Sequence, residues 1–138
     1  MPISLRPHAG ALMLTFGVLL GTAVVSIASA QTLWVAPEAE KARKNPLASD
    51  SKAIEQGEKV AKTNCVSCHG AKGKGDGAAA AALNPKPADW TSQKVQAESD
   101  GEIFWKISNG RGAMPPWKHL AENDRWALIR YIRSLAGQ

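Results

Sequence analysis

The two cysteines of the chain stand close together and are followed directly by a histidine. The segment reads Cys65-Val66-Ser67-Cys68-His69. Two thioether bonds to the vinyl groups of a haem need thiols about one helical turn apart, and the adjacent imidazole then lies beneath the ring, where it can reach the iron. The spacing therefore predicts one covalently attached c-type haem, with Cys65 and Cys68 as attachment points and His69 as an axial iron ligand.

Three other chemistries use the same residue types. A structural zinc site needs a complete set of nitrogen and sulfur ligands, yet outside this segment residues 31–138 offer only His119. A thioredoxin-like redox pair sits at a strand-to-helix turn, and no strand pattern precedes Cys65. A disulfide between Cys65 and Cys68 is possible in an oxidising compartment, but it gives His69 no role. Haem attachment gives a role to both cysteines and to His69, and the other three interpretations remain alternatives.

The second axial ligand is predicted from the methionine content. Beyond residue 30, Met114 is the only methionine. Pro115 disfavours a helical conformation at Met114, which places this side chain in a loop rather than on a helix stripe. A thioether ligand raises the reduction potential relative to a second imidazole. We predict that Met114 ligates the iron, with ordinary core packing of Met114 and ligation by His119 as the alternatives.

An iron with both axial positions filled has no open site for a substrate. The predicted chemistry is therefore outer-sphere electron transfer, and we expect a carrier rather than an enzyme. The haem propionates also need partners, which can be an arginine or the N–H groups of indoles. The candidates for this role are Arg111, Trp90 and Trp117, and their alternatives are surface charge and core packing. His69 should donate its second ring nitrogen to a backbone carbonyl near Pro85 or Pro87.

Helical patterns that could position these residues begin after residue 50. Residues 53–64 place small and apolar side chains on one face. Ser99 and Glu102 form a capping box that opens a second helix, which Gly110 ends. Residues 126–135 form a third apolar stripe, with arginines on the opposite face. Because alternating runs of Val, Ile and Thr are absent beyond residue 50, the predicted fold is all-α, with three to five helices and long loops.

The first 30 residues have the features of an export signal. Arg6 precedes the apolar stretch 9–27, and Ala28-Ser29-Ala30 is the small-residue pattern that signal peptidases cleave. We predict a periplasmic protein with a signal peptide over 1–30, an arm or linker that is poorly ordered over 31–49, and a folded domain over 50–138. The alternative is an uncleaved anchor, which is the one case in which we expect contact with a membrane.

Length and charge exclude several classes of protein. A chain of 138 residues with a signal peptide leaves one small domain, which excludes an enzyme with a separate substrate domain. The formal net charge is +5. Acidic residues interrupt the basic positions, whereas a nucleic-acid binder is expected to cluster its positive charge with aromatics, so we predict no nucleic-acid partner.

Taken together, the motifs resemble a monohaem class I c-type cytochrome of bacteria over roughly residues 50–138. The matching segments are Cys65–Gly70, Gly75–Gly77, Pro87–Asp89, Asp100–Glu102, Gly112–Pro115 and Trp126–Tyr131. The resemblance implies the cytochrome c fold, in which the first and last helices cross at right angles. A small residue on the first helix there accepts aromatics of the last, and Gly57 with Tyr131 and Trp126 fits those places.

The sequence departs from that family at two places. Val60 and Ala61 stand where relatives often carry an aromatic residue, which weakens the prediction of the helix crossing. Ala121 stands where a capping Ser or Thr is expected, at a cost of about 1 kcal/mol.

These features predict a single-electron carrier between a dehydrogenase and a terminal oxidase or another cytochrome. Exposed basic residues at the haem rim would steer acidic partners, and the candidates are Lys72, Lys74, Arg111 and Lys118. One alternative is a cytochrome subunit of an oxidoreductase complex, docked through the arm by Trp34 and Val35. A haem protein that binds or senses a ligand is a third possibility, which requires a displaceable ligand.

Overall fold

The computed structural model describes residues 34–138. The predicted signal peptide over 1–30 and the alternative anchor over 9–27 lie outside these residues. None of the helices within 34–138 combines the length and the hydropathy of a segment that crosses a bilayer.

The described part of the chain is helical and contains no β-strand, so the all-α class is confirmed. Its helices are α1 (Glu38–Lys41), α2 (Ser51–Asn64), α3 (Val66–His69), α4 (Gln93–Gln96), α5 (Asp100–Asn109) and α6 (Glu122–Ser134), with a 3₁₀ turn at Ala80–Ala82. Six α-helices exceed the predicted three to five because α1, α3 and α4 have only four residues each. Such single turns leave no periodic pattern in the sequence.

Side-chain caps define where two of the long helices begin. The Asp50 carboxylate accepts a hydrogen bond from the backbone N–H of Ala53 at 2.8 Å, before the first turn of α2. The Ser99 hydroxyl accepts from the backbone N–H of Glu102 at 3.1 Å, as the predicted capping box requires. Helix α6 follows Ala121 and has no side-chain cap, in agreement with the sequence.

Helices α2 and α6 touch at Gly57. A Cβ at this position would lie 2.0 Å from the carbonyl oxygen of Ala127 and 2.9 Å from the Cβ of Tyr131. The predicted contact of Gly57 with Tyr131 is thus confirmed. The contact of Gly57 with Trp126 stays a prediction, since the nearest atoms belong to Ala127 and Tyr131 and the Trp126 ring stacks on Phe104 of α5 with centroids 4.0 Å apart. Trp126 directly precedes Ala127, so its side chain points about 100° away from that of Ala127 around the axis of α6.

The segment before α2 is packed against the folded domain, although we predicted a poorly ordered arm. At Gly101 of α5 a Cβ would lie 2.0 Å from the carbonyl oxygen of Glu40, so α1 and α5 meet backbone to backbone. The Asn45 amide donates to the carbonyl of Trp126 at 2.9 Å. Backbone groups make these contacts, and an amphipathic pattern does not reveal them.

One arginine of α6 binds this segment, and a second binds α4 and the start of α5. Arg130 Nε donates to the carbonyl of Leu47 at 3.0 Å. Arg133 Nη1 donates to the carbonyl of Gln96 at 2.9 Å, and its Nε donates to Asp100 at 2.9 Å. The polar face of α6 is therefore covered by neighbouring chain and binds carbonyl groups that would otherwise need water.

Candidate haem site

Cys68 and His69 lie on the single turn of α3, and Cys65 is the residue that directly precedes it, between α2 and α3. Cys65 follows α2 directly, since its N–H donates to the carbonyl of Ala61 at 2.8 Å, and the N–H of His69 donates to the carbonyl of Cys65 at 2.9 Å. Both thiols are free. Burial, with a smaller contribution from Cys68, raises the pKa of the Cys65 thiol to about 11. The unmodified Cys65 is therefore a neutral thiol at physiological pH.

His69 is only 9 % exposed, and its ring is held by one hydrogen bond. Its Nδ1 lies 3.0 Å from the carbonyl oxygen of Ala88. Because a carbonyl only accepts, Nδ1 carries the proton and Nε2 keeps its lone pair for a metal. Burial lowers the pKa of His69 against the opposing effect of the Ala88 carbonyl, which favours the neutral imidazole that ligation requires. The predicted carbonyl near Pro85 or Pro87 is confirmed, since Ala88 follows Pro87.

A folded loop sets the position of the Ala88 carbonyl. The N–H of Trp90 donates to the carbonyl of Gly73 at 2.7 Å. The carboxylate of Asp89 accepts from the hydroxyl of Thr91 at 2.7 Å and from its N–H at 2.8 Å. These hydrogen bonds, that of the hydroxyl above all, lower the pKa of Asp89. The loop is thus fixed by the three residues that directly follow the carbonyl that orients His69.

Trp90 packs directly on the histidine. Its ring stacks on His69 with centroids 4.5 Å apart and planes at 22°, and it meets Tyr131 edge-on at 6.5 Å. The side chain is buried at 7 % exposure. Hydrogen bonding of Trp90 to a propionate stays a prediction, and the observed role is to hold the imidazole plane.

Met114 lies in a tight loop after α5. The N–H of Arg111 donates to the carbonyl of Met114 at 2.9 Å, and the N–H of Met114 donates back at 3.1 Å. The N–H of Trp117 donates to the carbonyl of Ile107 at 3.0 Å, which ties the loop to α5. Met114 is half-buried and packs against the apolar core. Its ligation of iron stays a prediction.

The other predicted residues lie around this loop. Trp117 is half-buried, and its ring is tilted on that of His119 at 5.3 Å. His119 itself is exposed. Arg111 is exposed, and its guanidinium carbon lies 5.1 Å from the centre of the Trp34 ring. The propionate roles of Arg111 and Trp117 stay predictions.

Sequence analysis gave Trp34 no role in the haem site. Its indole Nε1 is buried and has no hydrogen-bond partner among residues 34–138. The Nζ of Lys106, which the sequence did not single out, lies 5.5 Å from the same ring. In the sequence, Trp34 is an aromatic residue in a polar stretch, and this pattern led us to expect an exposed residue that docks on a partner. The ring is instead half-buried, with the Arg111 guanidinium carbon 5.1 Å and Lys106 Nζ 5.5 Å from its centre.

A cavity of about 440 Å³ beside α5 lies elsewhere. Its walls include Arg43, Phe104, Ser108, Lys118 and Arg125, and none of the predicted iron ligands. Phe104 lies between the guanidinium groups of Arg43 and Arg125, at 4.5 and 4.6 Å from its centre. The chemistry of α3, and not the size of a cavity, therefore locates the site.

The residues present fit a covalently attached haem. Two free thiols stand three residues apart at and directly before the turn that carries His69, whose imidazole keeps a free Nε2. No group of three or more His, Cys, Asp and Glu side chains in the described part of the chain is arranged to hold a bare metal ion. The helical fold and this donor set define a c-type cytochrome.

The comparisons with known proteins agree. Residues 52–132 match the family model described as cytochrome c oxidase, cbb3-type, subunit III, and the chain belongs to this family. It therefore carries covalently bound haem c and transfers electrons. No curated protein is significantly similar to it.

A solved structure is also similar. It is a chain of the reducing HAO-like protein complex of Kuenenia stuttgartiensis, with 30% sequence identity and a TM-score of 0.58. The match covers 66% of the present chain and 47% of that one. The present chain thus spans about half the length of its structural relative.

Proposed function

We propose that this protein is a periplasmic single-electron carrier, not an enzyme, with His69 and Met114 as the axial ligands of one haem c. It would take electrons from a dehydrogenase and pass them to a terminal oxidase or another cytochrome. The observation that carries the proposal is the hydrogen bond between His69 Nδ1 and the Ala88 carbonyl at 3.0 Å, which leaves Nε2 available for iron.

The bound haem supplies a one-electron iron couple. The polypeptide holds it through the thiols of Cys65 and Cys68, which stand directly before and on the turn that carries His69. Trp90 and the Ala88 carbonyl keep the imidazole in one plane and one tautomer. A ligand held this way reorganises little when the iron changes its charge, which favours rapid electron transfer. Ligation of the iron by both His69 and Met114 would leave no position for a substrate.

Spectroscopy of the protein matured with haem tests the ligation. A pyridine haemochrome spectrum and the intact mass should report one covalent haem per chain. The ferric protein should show the red charge-transfer band typical of methionine ligation, and Met114→Ala should abolish it while the haem stays attached. The matched control is His119→Ala, which removes the rival ligand and should keep the band.

Three results would contradict this proposal. A colourless protein with the mass of bare polypeptide would remove the haem site altogether. A ferric protein that is low-spin without this band, and whose spectrum changes in His119→Ala but not in Met114→Ala, would assign the ligand to His119. Ready binding of carbon monoxide by the unaltered protein would favour a sensor, because it needs a displaceable ligand.

The surface charge supports transient partners. Lys72, Lys74 and Lys118 are exposed, as is Arg111. Positive charge at a redox surface accelerates the encounter with acidic partners, and salt weakens this effect. We predict that the rate of reduction by an acidic partner falls as ionic strength rises. Stopped-flow measurements at increasing salt check this, and a flat response would remove the steering role.

A second candidate is a cytochrome subunit of an oxidoreductase complex. The structural relative belongs to a protein complex, which favours this function. The arm would offer Val35, which is 43 % exposed, whereas Trp34 is engaged by Lys106 and Arg111. Copurification with a partner at micromolar affinity or better would support the subunit. A monomer that exchanges electrons without a stable complex would support the carrier.

A further inference from the structure

We propose that Gln96 is a positioning residue for electron transfer, because it holds Trp90 against His69 and thereby keeps the plane of the imidazole fixed. The inference rests on the proposed function, in which His69 ligates the haem iron. It adds to the haem site a polar side chain of α4 that lies outside the sequence motifs of the cysteines, the histidine and the methionine.

The side-chain amide of Gln96 joins two segments of the chain. Its Nε2 donates to the carbonyl oxygen of Trp90 at 2.7 Å and to that of Ile132 in α6 at 2.9 Å. An amide NH₂ group has two N–H bonds, so these two hydrogen bonds use its full donor capacity. The side chain is half-buried. The loop that carries Trp90 is therefore bound to α6 through Gln96.

Trp90 is the link between this amide and the predicted iron ligand. Its carbonyl accepts from Gln96, its N–H donates to the carbonyl of Gly73 at 2.7 Å, and its ring stacks on His69 at 4.5 Å. The indole has little room to move, since a Cβ on Gly73 would lie 2.7 Å from its Cε3. The position of the indole is therefore coupled to that of the Trp90 backbone, which two hydrogen bonds hold.

Gln96 is itself held in place by α6. Helix α4 has only four residues, too few for a helix to be stable without tertiary contacts. Arg133 Nη1 donates to the carbonyl of Gln96 at 2.9 Å, and Arg133 Nε donates to Asp100 at 2.9 Å. A continuous set of contacts thus runs from α6 through Gln96 and Trp90 to His69.

These contacts act on the orientation of the imidazole. The hydrogen bond from Nδ1 to the Ala88 carbonyl fixes one edge of the ring, and the stacked indole fixes its plane. Such outer contacts set the orientation and the basicity of a metal ligand. In a ferric low-spin haem, the plane of an axial imidazole influences the paramagnetic NMR shifts of the ring methyl groups. Loss of the Gln96 amide should therefore change these shifts, whereas loss of a residue that supports only the fold should not.

Proton NMR of the matured ferric protein tests the proposal. Gln96→Leu removes both N–H groups and keeps a side chain of similar size. The matched control is Gln56→Leu, because Gln56 of α2 also donates a hydrogen bond to α6, to Asp124 at 3.0 Å. We expect the methyl shifts to change in Gln96→Leu, together with a several-fold slower electron self-exchange. In Gln56→Leu both should stay as they are in the unaltered protein.

A double-mutant cycle shows whether the effect passes through Trp90. Trp90→Leu removes the indole and keeps an apolar side chain. If Gln96 acts through the indole, adding Gln96→Leu to Trp90→Leu should change the methyl shifts no further. An added change as large as in the unaltered background would overturn the proposal, because Gln96 would then act by another route.

Nitrogen-15 spectra of the unaltered ferrous protein give a measurement that does not depend on the folding of a variant. Both side-chain amide protons of Gln96 should exchange with solvent more slowly than those of Gln56, which is exposed. Equally rapid exchange at the two residues would show that the Gln96 amide does not hold the Trp90 carbonyl, and it would overturn the proposal.

The outcomes separate this inference from the proposed function. Unchanged methyl shifts in Gln96→Leu, or the same change in Gln56→Leu, overturn the role of Gln96 alone when one covalent haem and the methionine band are present. If the unaltered protein carries no covalent haem, both proposals fail.

Discussion

The two sides of the proposed haem site are built differently. On the histidine side, residues 65–92 fold upon themselves, with the N–H of Gly75 bonded to the carbonyl of His69 and that of Gly77 to the carbonyl of Cys68. On the methionine side, residues 110–120 are mostly exposed, and Met114 is only half-buried. Several contacts thus hold His69 in position, whereas the position of Met114 depends on one short loop.

This difference indicates that the loop around Met114 opens more readily than the loop around His69. Segments with few buried contacts and exposed backbone open at lower free energy than packed ones. We therefore expect equivalent substitutions to cost more on the histidine side than on the methionine side. Three matched comparisons test this expectation.

The largest difference is expected between the two tryptophans. Trp90→Ala removes a buried ring that supports His69, and it should destabilise the holoprotein by about 3–5 kcal/mol. Trp117→Ala removes a half-buried ring and should cost about half as much. Denaturant unfolding of the ferric protein measures both, and equal costs would contradict the asymmetry.

A pair of glycines gives a smaller difference with matched backbone geometry. Gly75 and Gly112 have φ of 72° and 57°. A Cβ on Gly75 would lie 2.4 Å from the Pro87 carbonyl oxygen, whereas nothing lies within 4 Å at Gly112. Gly112→Ala should cost about 1 kcal/mol from backbone strain alone, and Gly75→Ala about 3 kcal/mol. Thermal unfolding checks the order, and a reversed order would show that the Pro87 loop yields easily.

The smallest effect concerns pH. Because the folded-state pKa of Asp89 is lowered, its contribution to stability is present above the unfolded pKa of about 3.9 and is lost as pH falls through the folded pKa. Thr91→Val should raise the pKa of Asp89. The free energy of unfolding should then increase less with pH in this acid range than it does in the unaltered protein. NMR titration of Asp89 and unfolding at several pH values measure both quantities.

The methionine side offers the control for this titration. Residues 110–120 contain no acidic side chain. His119→Ala removes no carboxylate and should therefore leave the acid range below about pH 4 unchanged. An equal change in both variants would show that the acid transition arises elsewhere.

Sequence reasoning succeeded where a local signal exists. Ser99 marked the start of α5, and the helical pattern expected after residue 50 coincides with α2, which begins at Ser51. The carbonyl that orients His69 was predicted to within one residue of Pro87. Each of these features depends on residues close together in the chain.

The arm was misjudged because its contacts are distant and involve backbone atoms. Arg130 binds the carbonyl of Leu47, which lies 83 residues earlier in the chain. The pattern of apolar residues in either segment does not predict this contact. Trp126 was assigned to the contact with α2, and its ring stacks on Phe104. Which of two neighbouring aromatic residues faces a given helix depends on the rotation of α6, and the sequence pattern does not fix that angle.

The close fit of Arg43 over two stacked rings has a consequence for the limits of the domain. Its guanidinium carbon lies 4.5 Å from the centre of Phe104 and 5.2 Å from that of Trp126. The family match begins at residue 52, so a fragment cut at that border would leave this aromatic pair without its cover. Self-association of such a fragment would then result from the loss of Arg43, which covers these rings, and would not indicate a natural binding surface.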